Sequence, residues 1–265
     1  MRIRQQLGMA LAAISLISAS LVASAASSRT VVGTATRYAL LSSYSLNGTV
    51  TSPAAAASGV LGLDVSNYQP SINWNAVRSD GAQFAYVKAT EGTGFVNPDF
   101  ASQYDGSYQA GLIRGAYHFA RPNHSSGAAQ ASYFVANGGG WTADGQTLPG
   151  ALDIEPNPHG AECYGLSQSA MVSWIASFNN TYYALTSRWP VIYTTGGWWA
   201  KCTGDYGGFA SEDPLWIASY GAADLLPAGW SYYTFSQYAA VGTLPGDQDV
   251  FNGSSSGLLQ LATGS

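Results

Sequence analysis

The sequence predicts an α/β fold in which eight strands close into a barrel. Three observations support this prediction. Short apolar runs recur from Gly59 to the end of the 265-residue chain, and mixed segments separate the first five of them. Alternation of strands with helical segments is typical of a parallel sheet. Eight strands over this length favour closure of the sheet into a barrel.

The individual elements follow from the spacing of apolar residues. Three helices are predicted between the early strands, over 99–110, 127–137 and 167–185, and Met171, Trp174, Ile175 and Phe178 give the third the clearest helical spacing. The last three strands are joined by short links rich in Gly and Pro, so the later helices should be reduced or missing. The predicted strands are Val60–Val65, Phe84–Lys88, Ile113–Phe119, Ala151–Glu155, Pro190–Tyr193, Leu215–Tyr220, Tyr233–Tyr238 and Gln248–Phe251.

The N-terminal residues are predicted to precede the folded domain. A basic start, an apolar run from about Met9 to Val22 and an Ala23-Ser24-Ala25 end are typical of a secretory signal peptide, residues 1–25. The run is too short for a membrane anchor. Residues 26–58 are rich in Ala, Ser and Thr, which indicates a pro-segment or a flexible linker. We therefore expect a secreted, extracellular protein, free of the membrane after signal cleavage, with its folded domain at residues 59–265.

The composition narrows the choice of partners. Charged residues make up 9% of the chain, whereas 8 Trp and 17 Tyr help to raise the aromatic content to 13%. Few charges and many aromatic rings suit a groove that stacks flat, polar, uncharged ligands such as sugars, although most of the rings must fill the core. A net charge of -5 argues against nucleic acid as the partner, because phosphate binding needs a basic face.

The cysteines and histidines predict a disulfide and no metal site. Cys163 and Cys202 are the 2 cysteines of the chain, and an even count in an exported protein suggests that they pair. A catalytic thiol is disfavoured, because oxidising surroundings favour pairing and no histidine lies in a partner motif. The 3 histidines show no ligand spacing, so we expect neither zinc nor another cofactor.

The most informative stretch is Leu152-Asp153-Ile154-Glu155, which sets two carboxylates two residues apart within an apolar run. Side chains on a strand alternate between faces, so Asp153 and Glu155 share one face. Two such charges cannot ionise independently, and a raised pKa on one of them is what a general acid requires near neutral pH. The alternative is that both acids only cap the turn that begins at Pro156.

The barrel prediction strengthens the catalytic interpretation of this pair. In a parallel barrel the chemistry lies at the C-terminal ends of the strands. Polar and aromatic side chains fall at or just past the ends of the predicted strands, so residues far apart in sequence should converge on one mouth. These residues are Asp64, Glu91, His118, Asp153, Glu155, Tyr193, Trp216, Gln237 and Asp249.

Seven motifs then occur in a fixed order. They are the segments 62–69, 84–92, 115–119, 152–155, 192–194, 215–218 and 248–252, which begin with Gly-Leu-Asp-Val-Ser-Asn-Tyr-Gln and include Leu-Asp-Ile-Glu. The set resembles the glycoside hydrolase family 25 lysozymes, also called Chalaropsis-type muramidases. The resemblance covers essentially all of the chain from Gly59 to about Gly253.

This resemblance implies a distorted TIM-like barrel of eight strands and about five helices. It also implies hydrolysis of the β-1,4 bond between N-acetylmuramic acid and N-acetylglucosamine in bacterial peptidoglycan. Glu155 would be the general acid, Asp153 its partner, Asp64 a support for the pair and Asp249 the residue that closes the acidic mouth. We expect a monomer. The substrate-binding or supporting residues would be Glu91, Lys88, Tyr117, Tyr193 and Trp216.

Several residues have a simpler alternative role. Asp64 has the alternative of a turn or N-cap acid, and Asp249 that of a surface loop acid. An ion pair between Lys88 and Glu91 is as reasonable as a contact from Lys88 to sugar. For His118, a satisfied position in the core is favoured over a functional one.

Three other functions compete with the muramidase. A chitinase-type or endo-glucosaminidase-type enzyme also uses an Asp-x-Glu strand, but those enzymes carry further aspartates upstream, where this chain has residues 148–151, Leu-Pro-Gly-Ala. An inactive carbohydrate-binding protein would have lost Asp153 or Glu155. A zinc amidase would need metal-ligand spacing. Because both acids project from one strand, we expect a retaining reaction assisted by the 2-acetamido group of the substrate.

Overall fold

The computed structural model describes residues 59–220 and 226–264. The predicted signal peptide, residues 1–25, and the predicted pro-segment or linker, residues 26–58, lie outside the described residues. Strands and helices alternate along the described part of the chain. No helix within it is both long enough and apolar enough to cross a membrane.

Eight strands form a closed barrel, which confirms the predicted fold class. Around the barrel the order is β1, β2, β4, β5, β6, β7, β8 and β9, and β9 pairs with β1 to complete the ring. A two-residue strand, β3, extends the sheet from β2 in antiparallel fashion. The strands are β1 (Val60–Val65), β2 (Phe84–Glu91), β3 (Phe95–Val96), β4 (Ile113–Phe119), β5 (Ala151–Asp153), β6 (Val191–Thr194), β7 (Leu215–Ala218), β8 (Phe235–Ala239) and β9 (Asp247–Phe251).

The last strand departs from the parallel arrangement that alternation predicts. β9 runs antiparallel to both of its neighbours, β8 and β1. The physical reason is the length of the link, because residues 240–246 are too few for the crossover that a parallel connection needs. The chain therefore returns as a hairpin, and β9 starts at the mouth of the barrel where the other barrel strands end.

The helices cover the outside of the barrel. The predicted segments 99–110, 127–137 and 167–185 are confirmed as helical, with a π-helical turn at Val135–Gly139 after the second. Three short helices have no counterpart in the predictions from apolar spacing, which brings the total in the described residues to six against about five expected. The helices are α1 (Trp74–Ser79), α2 (Phe100–Gln109), α3 (Gly127–Phe134), α4 (Gln168–Thr186), α5 (Gly196–Thr203) and α6 (Ser255–Thr263).

Aromatic rings fill the barrel interior below the mouth. The rings of Tyr86 and Trp216 stack with centroids 4.8 Å apart, and Phe235 meets the Tyr86 ring edge-on at 5.5 Å. Glycine makes room for these rings, since a Cβ at Gly62 would lie 2.3 Å from the Phe84 ring and one at Gly115 would lie 2.3 Å from the Tyr86 ring. The barrel interior is therefore packed below the mouth, and open space is left at the mouth.

Candidate active site

A cavity of about 380 Å³ opens at the C-terminal ends of the parallel strands. Its walls come from the barrel strands and from the loops that follow β1 and β5. With one exception, Asp249, every predicted catalytic and substrate-binding residue lines this cavity. The residues brought together are Asp64, Lys88, Glu91, Tyr117, Asp153, Glu155, Tyr193 and Trp216.

Asp153 and Glu155 lie together on the wall of the cavity. The strand ends at Asp153, two residues earlier than predicted, although the Ile154 N–H still donates to the Tyr193 carbonyl at 3.0 Å and keeps the chain extended. Asp153 is 7% exposed, and its Oδ1 atom has no hydrogen-bond partner in the protein. Glu155 is half-buried. Asp153 and Glu155 therefore both face the cavity, as the alternation of a strand predicts, although β5 itself ends at Asp153.

The environment of this pair favours the protonated forms. Burial raises the pKa of Asp153 well above its ordinary value, and the adjacent Glu155 carboxylate raises it further. Burial also raises the pKa of Glu155, to about 7, against the opposing charge of Lys88. The charge of Asp247 adds to the rise at Glu155. A carboxyl group with a pKa near 7 is suited to giving up a proton at neutral pH.

Gln237 organises the opposite wall. Its Nε2 atom donates to Asp64 Oδ2 at 2.6 Å and to Asp247 Oδ2 at 3.3 Å. Its Oε1 atom accepts from the hydroxyls of Tyr193, at 2.9 Å, and Tyr220. The two tyrosine donors fix which end of the amide faces the acids. Burial, followed by the charge of Asp247, raises the pKa of Asp64 to about 7.

Asp249 does not lie at the mouth, so this part of the prediction is wrong in position. Because β9 runs antiparallel, its first residue, Asp247, takes the place on the cavity wall, and Asp249 lies deeper with no exposed surface. Trp216 Nε1 donates to Asp249 Oδ1 at 2.9 Å. Burial and the charge of Asp64 raise the pKa of Asp249 well above its ordinary value, and its Oδ2 atom has no hydrogen-bond partner in the protein. Asp64 and Asp249 are both buried, so Asp64 is not a turn acid and Asp249 is not a surface loop acid.

Lys88 and Glu91 form an ion pair and line the cavity as well. Lys88 Nζ lies 2.7 Å from Glu91 Oε2, and Arg121 Nη1 lies 2.9 Å from Glu91 Oε1. Lys88 also lies over the Phe119 ring, 4.8 Å from its centroid. Partial burial opposes ionisation of Glu91, but the hydrogen bonds and charges of Lys88 and Arg121 lower its pKa below the ordinary value. The cluster thus places the positive charge of Lys88 beside the Asp153–Glu155 pair.

His118 belongs to the core, as its surroundings in the sequence favour. It has no exposed surface, its Nδ1 atom lies 2.7 Å from Thr90 Oγ1, and its Nε2 atom lies 2.9 Å from Gln130 Oε1. Its ring stacks on Phe178 at a centroid distance of 5.4 Å. Burial lowers the pKa of His118 to about 4, so the ring is neutral at ordinary pH.

The loop after Glu155 is fastened to α5. The predicted disulfide between Cys163 and Cys202 is present in the structure, with Cα atoms 5.3 Å apart. Two further contacts reach the same loop: Trp198 Nε1 donates to the Glu162 carbonyl at 3.2 Å, and Lys201 forms an ion pair with the Glu162 side chain. This loop brings Pro158 and His159 to the edge of the cavity.

The sequence predictions missed some of the lining residues. Asp247 was omitted although it precedes Asp249 by two residues, a spacing that places both on one strand face. Tyr68 and His159 also line the cavity, and neither lies in a predicted strand. Among the described residues, no group of three or more His, Cys, Asp and Glu side chains is placed to hold a metal ion.

Comparison with known proteins gives one consistent family. A family model described as glycosyl hydrolases family 25 matches residues 63–247. Lysozyme M1 of Streptomyces globisporus is 54% identical over 214 residues, which is 78% of this chain and 73% of that protein. The N,O-diacetylmuramidase of Chalaropsis sp is 47% identical over 77% of this chain and 100% of its own length. The solved structure of the muramidase from Acremonium alcalophilum has 56% identity and a TM-score of 0.77, and the match covers 78% of this chain and 100% of that one.

Proposed function

The chain belongs to glycosyl hydrolase family 25, and from this membership we propose that it is a secreted lysozyme. Its reaction is hydrolysis of the β-1,4 bond between N-acetylmuramic acid and N-acetylglucosamine in bacterial peptidoglycan. The relatives named lysozyme and muramidase support this substrate. The observation that carries the proposal is the Asp153–Glu155 pair at the mouth of the barrel, with the pKa of Glu155 raised to about 7.

Glu155 is the general acid of the proposed reaction. It is half-buried on the cavity wall, so its carboxyl group can reach a bound glycosidic oxygen while remaining poorly solvated. Because burial and Asp247 raise its pKa, a large fraction of Glu155 carries a proton at neutral pH. Lys88 limits this rise, and this keeps the pKa near the working pH, where acid and base forms are both accessible.

Asp153 supports a nucleophile that the substrate itself provides. Asp153 and Glu155 project from the same strand, so they cannot approach the sugar from opposite faces as an enzymic nucleophile and an acid would. The unpartnered, buried Asp153 Oδ1 is instead available to the N–H of the 2-acetamido group. Orienting that group and balancing its developing positive charge requires Asp153 in its ionised form, which the charge of Lys88 favours.

The proposed reaction has two steps. The acetamido carbonyl oxygen attacks C1, the bond from C1 to the leaving oxygen breaks, and Glu155 transfers its proton to that oxygen. Glu155, now ionised, takes a proton from water as that water attacks C1 and opens the cyclic intermediate. The product keeps the β configuration at C1, and Glu155 regains its proton.

The other lining residues position the sugar and tune the acids. Gln237 and Asp64 hold one wall, and Tyr193 and Trp216 provide aromatic surface beside it. Asp249 lies below the cavity wall, where it accepts a hydrogen bond from Trp216 and interacts electrostatically with Asp64. Tyr117, Lys88 and Glu91 complete the opposite side of the cavity.

Mass analysis of the fragments released from purified peptidoglycan tests the proposed function. The expected result is N-acetylmuramic acid at every new reducing end. N-acetylglucosamine at those ends would instead identify an endo-glucosaminidase, and the absence of cleavage together with retained binding would identify a carbohydrate-binding protein. Glu155→Gln is the matched control, because it keeps the shape of the side chain and removes the proton.

Secretion and processing are part of the proposal. Signal-peptide features at residues 1–25 and the disulfide between Cys163 and Cys202 both suit an exported protein. We propose that residues 59–265 form the catalytic domain, that the enzyme acts as a monomer, and that residues 26–58 are a pro-segment or linker. Intact-mass measurement of the protein recovered from culture medium would locate the mature N-terminus.

A further inference from the structure

A second cavity of about 410 Å³ lies at the opposite end of the barrel. Pro214 and Thr234 line it from positions just before β7 and β8, and Asn252 lines it from just after the antiparallel β9. These positions all belong to the N-terminal end of the parallel strands. We call this space the base cavity. Its size is within the range of small-molecule binding sites and similar to that of the active-site cavity.

The charges of the base cavity differ from those of the active site. Among the described residues that line it, Arg188 contributes one positive charge and the exposed Glu212 one negative charge. Asp213 is 2% exposed, and neither of its carboxyl oxygens has a hydrogen-bond partner in the protein. Burial raises the pKa of Asp213 to about 8. At neutral pH the lining is therefore nearly balanced in charge, which suits an uncharged polar ligand.

Aromatic surface is present beside these polar groups. Tyr232 lines the base cavity and is 66% exposed, so its ring is open to a ligand. Trp230 lines it too and is held in place, because its Nε1 atom donates to the Asp213 carbonyl at 2.9 Å and its ring meets Trp199 edge-on at 5.5 Å. One fixed and one exposed ring beside hydrogen-bonding groups match the mixed apolar and polar faces of a sugar.

We propose that the base cavity is a non-catalytic binding site for a sugar unit of the peptidoglycan glycan strand. The identity of the sugar polymer rests on the proposed function, whereas the cavity itself is independent of the catalytic acids. The two cavities open at opposite ends of the barrel, so the base cavity engages a different strand of the polymer from the one being cleaved. Binding at two points raises the residence of the enzyme on an insoluble substrate.

Two tryptophan indole N–H signals test both sites in a single NMR titration. Trp216 lines the active-site cavity, and Trp230 lines the base cavity. The protein is the Glu155→Gln variant, which does not consume its ligand, and the probe is a soluble tetrasaccharide of alternating N-acetylglucosamine and N-acetylmuramic acid. We expect both signals to shift in a saturable manner. A shift of Trp216 alone would overturn the base-cavity proposal and leave the proposed function intact, and a shift of Trp230 alone would do the reverse.

A binding measurement on insoluble peptidoglycan provides the second test. In the Glu155→Gln background, Tyr232→Ala should weaken the partition onto the polymer by about twofold to tenfold, the range expected for loss of one aromatic contact. Tyr108→Ala is the matched control, since Tyr108 is 46% exposed on α2 and lines neither cavity. Equal partition of the two variants would refute the proposal. Both tyrosines are exposed, so neither substitution empties a core position, and a difference between the two variants reports binding rather than folding.

Discussion

Replacing Asp247 by Asn should move the alkaline limb of the activity profile to lower pH. Asp247 and Asp64 both accept from the same Gln237 nitrogen, at 3.3 and 2.6 Å, so their bonded oxygens are at most about 5.9 Å apart. Asp247 is also a cause of the raised pKa of Glu155. The Asn side chain keeps an oxygen that can accept from Gln237, so Asp247→Asn removes the charge and preserves the hydrogen bond.

The size of the effect follows from that separation. Two unit charges about 6 Å apart interact by about 0.7 kcal/mol at the dielectric constant of water and by about 2.8 kcal/mol at an effective value of about 20. These limits correspond to about 0.5 and 2 pKa units. Because Asp247 is partly exposed, we expect the pKa of Asp64 to fall by about one unit. A smaller fall is expected at Glu155.

The assay has a kinetic and a spectroscopic arm. The proposed general acid must carry its proton, so kcat/KM falls as pH rises through the pKa of Glu155, and this limb should move to lower pH in Asp247→Asn. Carbon-13 NMR of labelled aspartate carboxyls measures the pKa of Asp64 directly. The control is Asp80→Asn, which removes one charge at the exposed end of α1. A limb that stays in place or moves to higher pH would refute the electrostatic argument.

The remaining predictions concern the acid, the stability, the disulfide and the stereochemistry. Glu155→Gln should lower turnover by about two to four orders of magnitude with binding little changed, and retention of more than about a tenth of the activity in steady-state assays would contradict its role as the acid. The pKa values of Asp64 and Glu155 are both raised to about 7, so the folded protein binds more protons than the unfolded chain between the ordinary carboxyl pKa values and pH 7. The free energy of unfolding should therefore fall as pH rises through that window. A melting temperature that climbs over the same range would count against these pKa shifts. Thiol titration of the denatured, unreduced protein should detect no free thiol at Cys163 or Cys202, and the Cys163→Ser/Cys202→Ser variant should lose about 2 to 4 kcal/mol of stability to unfolding by urea; two reactive thiols would disprove the bond. Proton NMR of the first-formed reducing end should show the β-anomer, whereas an initial α-anomer would rule out retention.

Local patterns were sufficient to predict most strands and most of the active-site cavity. Val60–Val65 and Ile113–Phe119 match their predicted bounds because each is a buried run with a clear change in pattern at both ends. The Asp153–Glu155 pair could be recognised because a period of two is a property of the chain itself. Helix α4 was predictable for the corresponding reason, since its buried face recurs at helical spacing.

Features that depend on tertiary structure were not predictable in this way. The direction of β9 is set by a short link and by closure against β1, and neither changes the pattern within the strand. This direction exchanges the positions of Asp247 and Asp249 at the mouth. Helices α5 and α6 were missed because they are short, although Thr195 and Ser254 accept hydrogen bonds from backbone N–H groups in their first turns, as N-cap residues do.

The glycines beneath the cavity link the shape of the barrel to its acid–base chemistry. Gly62 and Gly115 have no side chains, and each admits an aromatic ring into the space where a Cβ would lie. Those rings form a nonpolar floor beneath the acids, and burial is the leading cause of the raised pKa at Asp64, Asp153 and Glu155. The working pH of such an enzyme is consequently a property of its nonpolar packing as much as of its charged groups. Variation in the floor offers evolution, and protein engineers, a route to a new pH optimum that leaves every catalytic residue in place.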